Sequence, residues 1–213
     1  MLTSRELRRR QRQAAAMLKK AGLVVTRREV STIEAADCGL GRFEEIGLGV
    51  LVYVNTQRCC AKELALWPRQ TFPEHRHGPV SATNQGKEET FRCRWGLVYL
   101  YVPGPETRRP RARLPKGRES VFTVRHEVVL RPGDQYTLPP NTLHWFQAGP
   151  KGAVVSEFST TSIDELDVFT DPEVQRITEV ADRSWRPPDV AKRAAPGRST
   201  ARRYPSGSGG ERG

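Results

Sequence analysis

The sequence predicts a mainly β protein, a sandwich or barrel with helices at its N-terminal end and a disordered tail at its C-terminal end. Three observations carry this. Between residues 40 and 160, short β-rich runs alternate with Gly, Pro and Asn, the texture of an all-β sandwich or barrel. Ala, Leu, Arg, Gln and Lys dominate residues 4–21, a helix-forming mixture. From Arg183 the chain reads RSWRPPDVAKRAAPGRSTARRYPSGSGGERG, too polar and too biased to Pro, Gly, Ser and Arg to bury a core. The expected organisation is a helical segment over 1–46 packed on a barrel over 47–182, then a basic tail over 183–213.

Each element has a local reason. Ser4 can cap the first helix and Gly22 stops it. A second helix is expected around 28–36, before the Gly39–Gly41 turn. Strands are expected at Leu48–Val54, Glu63–Trp67, Glu89–Val102, Val121–Leu130, Gln135–Leu138, Thr142–Phe146 and Gly152–Ser159. Residues 103–119, PGPETRRPRARLPKGRE, hold three Pro before Leu114 and six Lys/Arg. They read as a surface loop with solvated arginines. A short helix is expected after Asp171-Pro172, with Asp171 as its cap and Pro172 at its first position.

Composition excludes several classes. The 213 residues suffice for one sizeable core or two very small ones. The formal charge of +11 invites a polyanion-binding reading, which fails once the charge is placed. Residues 1–20 hold 7 Lys/Arg against 1 acid, and residues 183–213 hold 8 against 2. Residues 22–182 hold 20 against 21 and are close to neutral. No basic, aromatic-bearing folded face remains, so no nucleic-acid partner is expected. No apolar run approaches the ~20 residues of a membrane span. Ala14–Leu18 is followed at once by Lys19 and Lys20, which is no signal-peptide core; a cytoplasmic protein is expected. Cys38, Cys59, Cys60 and Cys93 form no CxxC pair and read as reduced, mostly buried thiols.

The chemistry gathers around four histidines: His75, His77, His126 and His144. On a strand, His75 and His77 project to one side. Alternation puts Lys87, Glu89, Phe91, Cys93 and Trp95 on one face, marked as interior by its apolar members. Glu89, rather than Glu88, is thus the buried carboxylate. After the Arg131-Pro132-Gly133-Asp134 turn, Thr142, His144 and Phe146 share a face. Three imidazoles and one carboxylate make a mixed N/O set that suits Mn, Fe, Co, Ni or Zn. On the small and apolar face Ala153, Val155, Glu157, Ser159, Glu157 points inward. The face Phe122, Val124, His126, Val128, Leu130 makes His126 a hydrogen-bonded core or pocket histidine rather than a fifth ligand. Glu74 and Arg76 are expected to point outward. Trp95 and Trp145 read as core.

HxH, a following Glu, then PGD…P…H resembles the two motifs of the cupin superfamily, a jelly-roll β-barrel. The stretches YVNTQRCCAKELALWP, PEHRH, GKEETFRCRWGLVYLYV, PGDQYTLPPNTLHWFQAG and GAVVSEFSTTSIDELDVFTDP are similar, more closely, to the D-lyxose isomerase family of sugar-isomerising cupins, over roughly residues 20–178. The resemblance implies a metal-dependent aldose–ketose isomerase acting on D-lyxose and D-xylulose, with D-mannose and D-fructose as a further pair. It implies Mn²⁺, replaceable by divalent ions such as Co²⁺, on His75, His77, Glu89 and His144. It implies proton-transfer roles for Lys87 and Glu157, and cupin pairing through edge strands implies a homodimer.

Moving a hydrogen between C1 and C2 needs a positioned base, and moving a proton between O1 and O2 needs a second group. Glu157 fits the carbon and Lys87 the oxygens. Gln135 or Tyr136 lies near the mouth to bond a sugar hydroxyl. Phe91 and Phe146 are placed to wall the sugar, with core packing as their simpler use. Two other readings stand beside this one: a cupin dioxygenase, in which Lys87 has no obvious part, and a non-catalytic sugar-binding cupin, which lacks an effector module.

Overall fold

The computed structural model describes residues 2–181; the tail expected over 183–213 lies outside them. The helix expected over 4–21 is α1 (Ser4–Lys20). Its cap is Thr3, not Ser4. The Thr3 side chain accepts the Glu6 N–H while the Glu6 carboxylate accepts from the Thr3 N–H, so two orphan donors are met reciprocally. The second helix is only α2 (Arg27–Val30), which repeats the device with Thr26 and Glu29. The rest of the stretch expected to be helical turns into strand β1 (Glu34–Ala36), because pairing with the sheet overrides a weak local preference.

Eight further strands follow: β2 (Leu48–Asn55), β3 (Cys60–Leu66), β4 (Thr71–His77), β5 (Glu89–Val102), β6 (His126–Leu130), β7 (Gln135–Leu138), β8 (His144–Ser159) and β9 (Asp167–Phe169). All pairs are antiparallel. The runs expected at Thr142–Phe146 and Gly152–Ser159 are one strand, β8. Its first half pairs with β4 and its second half with β3, while β5 runs along both. One strand that pairs with three others curls the sheet into the expected cupin-type barrel. The expected strand at Val121–Leu130 begins instead as a 3₁₀ turn, Glu119–Val121, and is regular only in β6. After Asp171-Pro172 there is a turn and no helix; the Asp171 side chain accepts from Glu173 N–H at 2.9 Å.

The barrel interior is filled by Leu48, Val50, Leu64, Leu66, Phe72, Phe91, Cys93, Leu100, Phe146 and Val155. A second layer lies outside, where Leu7, Ala14, Ala15 and Leu18 of α1 cover Leu51, Ala65, Trp67 and Val154. A buried Leu in such a layer contributes about 1.5–3 kcal/mol. Trp95 belongs to this outer layer, not to the interior. The register slips between Cys93 and Trp95, and a one-residue bulge flips the face. Trp145 stacks on Tyr101 at 3.9 Å under the 103–119 loop. That loop lies at the surface as expected, with Arg108, Arg109, Arg111, Arg113 and Lys116 exposed, and two of its arginines anchor it. Arg118 pairs with Asp171 at 2.8 Å and Glu173 at 2.6 Å, and Arg111 with Glu127 at 2.7 Å. Among the described residues no helix is long and apolar enough to cross a membrane.

Candidate metal centre and active site

Strand pairing assembles the centre. His75 on β4 lies directly opposite His144 on β8, and their rings come within 4.2 Å. His77 follows on the same side, 4.9 Å from His75. Glu89, at the start of β5, faces both strands. The ligand atoms of His75, His77, Glu89 and His144 all lie within 4.8 Å of one another, and all four residues are buried.

The chain orients each imidazole from its Nδ1 side. His75 Nδ1 lies 2.9 Å from the Pro73 carbonyl, and His144 Nδ1 lies 2.9 Å from the Thr142 carbonyl. Both use a carbonyl two residues upstream. His77 uses a carboxylate, with Nδ1 at 2.5 Å from Asp167 Oδ1. In each case Nε2 is left for the centre. His77 Nε2 and His144 Nε2 stand 3.1 Å and 3.0 Å from Glu89 Oε1. The second contact lacks hydrogen-bond alignment, so His144 Nε2 is buried without a partner. Such an atom is costly unless something fills the gap.

Lys87 lies beside the centre, 2.7 Å from Glu89 Oε2 and 2.8 Å from Glu157 Oε1. Beyond Glu157, Lys62 Nζ lies at 3.9 Å from it and 3.1 Å from Asp164. Asp164 pairs with Arg176, which reaches Glu34 at 2.8 Å and Asp167 at 3.9 Å. Asp167 leads back to His77. The chain of charges is therefore a closed ring. Lys62, Lys87 and Arg176 face Glu34, Glu89, Glu157, Asp164 and Asp167. With the histidines neutral the formal sum is −2, the complement of one divalent cation. Burial, then the neighbouring His144 and His77, holds the His75 imidazole well below its usual range, hence neutral. Burial opposes charge on His77 as well, but Glu89 beside it and the Asp167 hydrogen bond push it up to about 9. Burial would raise Glu89, yet Lys87 and then His77 hold it well below the usual carboxylate range. A divalent ion held by His75, His77, Glu89 and His144 would take the place of the proton on His77, leaving three neutral imidazoles and one carboxylate as donors.

A cavity of about 30 Å³ abuts the centre, walled by Phe72, Phe91 and Phe146 among others. It adjoins an outer pocket of about 170 Å³ that shares His77, Lys87 and Asp167. Gln57, Val80, Asn84, Thr161, Ile163 and Leu166 line the outer pocket. Phe91 and Phe146 thus stand at the cavity. Gln135 does not: it is on the outer face of β7, exposed, accepting from Arg92 at 3.2 Å. Tyr136 alternates inward and packs on the core. His126 bonds the Pro105 carbonyl at 2.9 Å, away from the centre.

Glu74 does not point outward. It is buried, accepting from Thr123 N–H, Thr123 Oγ1, Val124 N–H and Thr170 Oγ1. A bulge between Phe72 and His75 and the crossing 118–124 segment cover that face of β4. Sequence reasoning also missed Lys62, Asp164, Asp167 and Arg176. Lys62 alternates with Leu64 and Leu66, a signal lost when the strand is started at Glu63. The other three sit on short elements without periodicity, and nothing local marks them.

The family model described as D-lyxose isomerase matches residues 107–186. The D-lyxose ketol-isomerase of Thermofilum sp. is 58% identical over 180 residues, spanning 84% of this chain and 99% of that protein. The D-lyxose/D-mannose isomerase of Thermosediminibacter oceani is 57% identical over 182 residues, spanning 85% and 100%. Among solved structures, the ligand-free Cellulomonas parahominis L-ribose isomerase superposes with a TM-score of 0.68 at 18% identity, over 84% of this chain and 98% of that one; this shows a shared fold. Identity above one half across nearly the whole of these relatives places the chain in the D-lyxose isomerase family.

Proposed function

We propose that the protein interconverts D-lyxose and D-xylulose, with D-mannose and D-fructose as a second pair, using a divalent ion, Mn²⁺ in the first place. His75, His77, Glu89 and His144 would hold it. The observation that carries this reading is the buried three-His, one-Glu cluster with the Lys87–Glu157 pair at 2.8 Å directly beside it. The names borne by the relatives support the choice of sugar.

When bound, such an ion supplies a Lewis acid for adjacent sugar oxygens, which acidifies the C–H next to the carbonyl. The rest falls to side chains. Glu157 takes the proton from C2 of the open-chain aldose, and Lys87 gives one to O1, leaving a cis-enediol. Lys87 then takes the proton from O2 while Glu157 returns its proton to C1, which makes the ketose. Proton count and charge are restored on both residues. Positioned groups of this kind contribute about 10²–10⁴-fold each. Phe72, Phe91 and Phe146 form the apolar side of a cavity whose other walls are charged.

Turnover of D-lyxose in D₂O tests the proton route. The Glu157 carboxyl proton is open to exchange with solvent through the outer pocket, so deuterium at C1 of D-xylulose supports the route, and strict retention of the original hydrogen counts against it in favour of a hydride shift. The same reaction run without oxygen separates isomerase from dioxygenase chemistry. D-xylulose formed under argon supports the isomerase, and an absolute oxygen requirement contradicts it.

A further inference from the structure

We infer that Asp167 is the positioning residue that makes His77 a ligand, and that Arg176 holds Asp167 in place; this rests on the metal centre proposed above. Two of the three histidines are oriented by the carbonyl two residues upstream, so their own strand fixes them. His77 has no such carbonyl contact. Its Nδ1 meets a side chain 90 residues further on, at 2.5 Å. That side chain arrives on β9, a three-residue strand whose Asp167 lies directly opposite His77.

A strand of three residues is weakly held by its ladder alone, and here side chains hold it. The Arg176 side chain is only 9% exposed and faces three carboxylates: Glu34 on β1 at 2.8 Å, Asp164 just before β9, and Asp167 at 3.9 Å. Asp164 is tied in turn to Lys62 on β3 at 3.1 Å and to Ser162 at 2.6 Å. The segment 162–178 is thus strapped to the barrel by ion pairs, and those of Asp164 and Asp167 link it to the centre. Glu34 enters from the N-terminal segment, so that segment also supports the centre. A carboxylate on the far nitrogen of a ligand histidine fixes its tautomer and ring orientation. Losing such a partner costs about 10–100-fold in metal affinity. The planar guanidinium fork lets one side chain hydrogen-bond Glu34 and Asp164 at once while its Nε stays beside Asp167; an ammonium lacks that geometry.

The test is Mn²⁺ binding to the metal-stripped full chain, read from the paramagnetic resonance signal of free Mn²⁺, with melting temperatures measured alongside. D167A should weaken binding about 10–100-fold, and D167N, which keeps an acceptor oxygen, should recover much of that loss. R176K should weaken binding by about threefold or more. D167A binding Mn²⁺ as wild type does, whatever its melting temperature, overturns the inference and leaves Asp167 a purely structural clamp. Should D167A not fold, R176K decides: unchanged affinity overturns, weakened affinity supports. H75A is the reference. If wild type and H75A both bind no Mn²⁺, the metal centre itself is wrong. If only H75A loses binding while D167A keeps it, the inference alone fails.

Discussion

At the scale of single residues, the centre was legible wherever a strand's two-residue period governed it. His75, His77, Glu89, His144, Lys87 and Glu157 all occupy positions that alternation turns inward, and the structure brings all six together. What escaped depends on partners distant in sequence. Asp167 and Arg176 become meaningful only when β9 meets β4 and Glu34, and Glu74 misleads because a bulge and a crossing loop bury the wrong side of its strand. Glu89 and Glu157 separate two roles. Glu89→Ala removes one of four donors and leaves Lys87 beside an emptied centre; calorimetry should show Mn²⁺ affinity falling by at least about 100-fold. Glu157→Gln leaves the donors in place. Its kcat should fall about 10²–10⁴-fold while Mn²⁺ affinity stays within a few-fold of wild type, a split that initial rates and calorimetry together would read.

At the scale of elements, the turns decide whether the right side chains meet. Gly86 precedes the Lys87–Glu89 run with φ at +103°, and a Cβ there would lie 2.2 Å from the His77 carbonyl oxygen. Backbone strain of this kind costs about 1–3 kcal/mol, and the clash falls on His77, one of the proposed ligands. Gly86→Ala should therefore lower both the melting temperature and Mn²⁺ affinity. Thr3→Ala offers the contrast. It removes the capping box of α1 and should cost about 0.5–2 kcal/mol on chemical denaturation with no change in kcat, because α1 covers the outer face of the sheet. The strands β2, β5 and β7 were readable as runs between turn residues. The union of two short runs into β8 was not, since Pro150 and Gly152 look like a break. In the structure they only relax the middle of a strand that continues on a new neighbour.

At the scale of the whole molecule, the sheet closes a ring of charge around a small cavity. Its net of −2 is the reason a divalent ion should stabilise the fold as well as serve the reaction. At Mn²⁺ concentrations about 100 times the dissociation constant the gain should be about 2.7 kcal/mol, visible as a rise in melting temperature that EDTA reverses. The basic helix α1 has no part in this ring. Every residue of the proposed site lies between Glu34 and Arg176, so deletion of residues 184–213 should leave isomerase activity unchanged. This buried centre, loaded with a divalent ion, is proposed to convert an aldose to its ketose. The most direct test is D-xylulose formation from D-lyxose by metal-stripped protein as Mn²⁺ is added back. The stripped protein should show no turnover, and activity should be full at one Mn²⁺ per chain. Turnover indifferent to metal, or none from protein shown to hold Mn²⁺ at this centre, would contradict it.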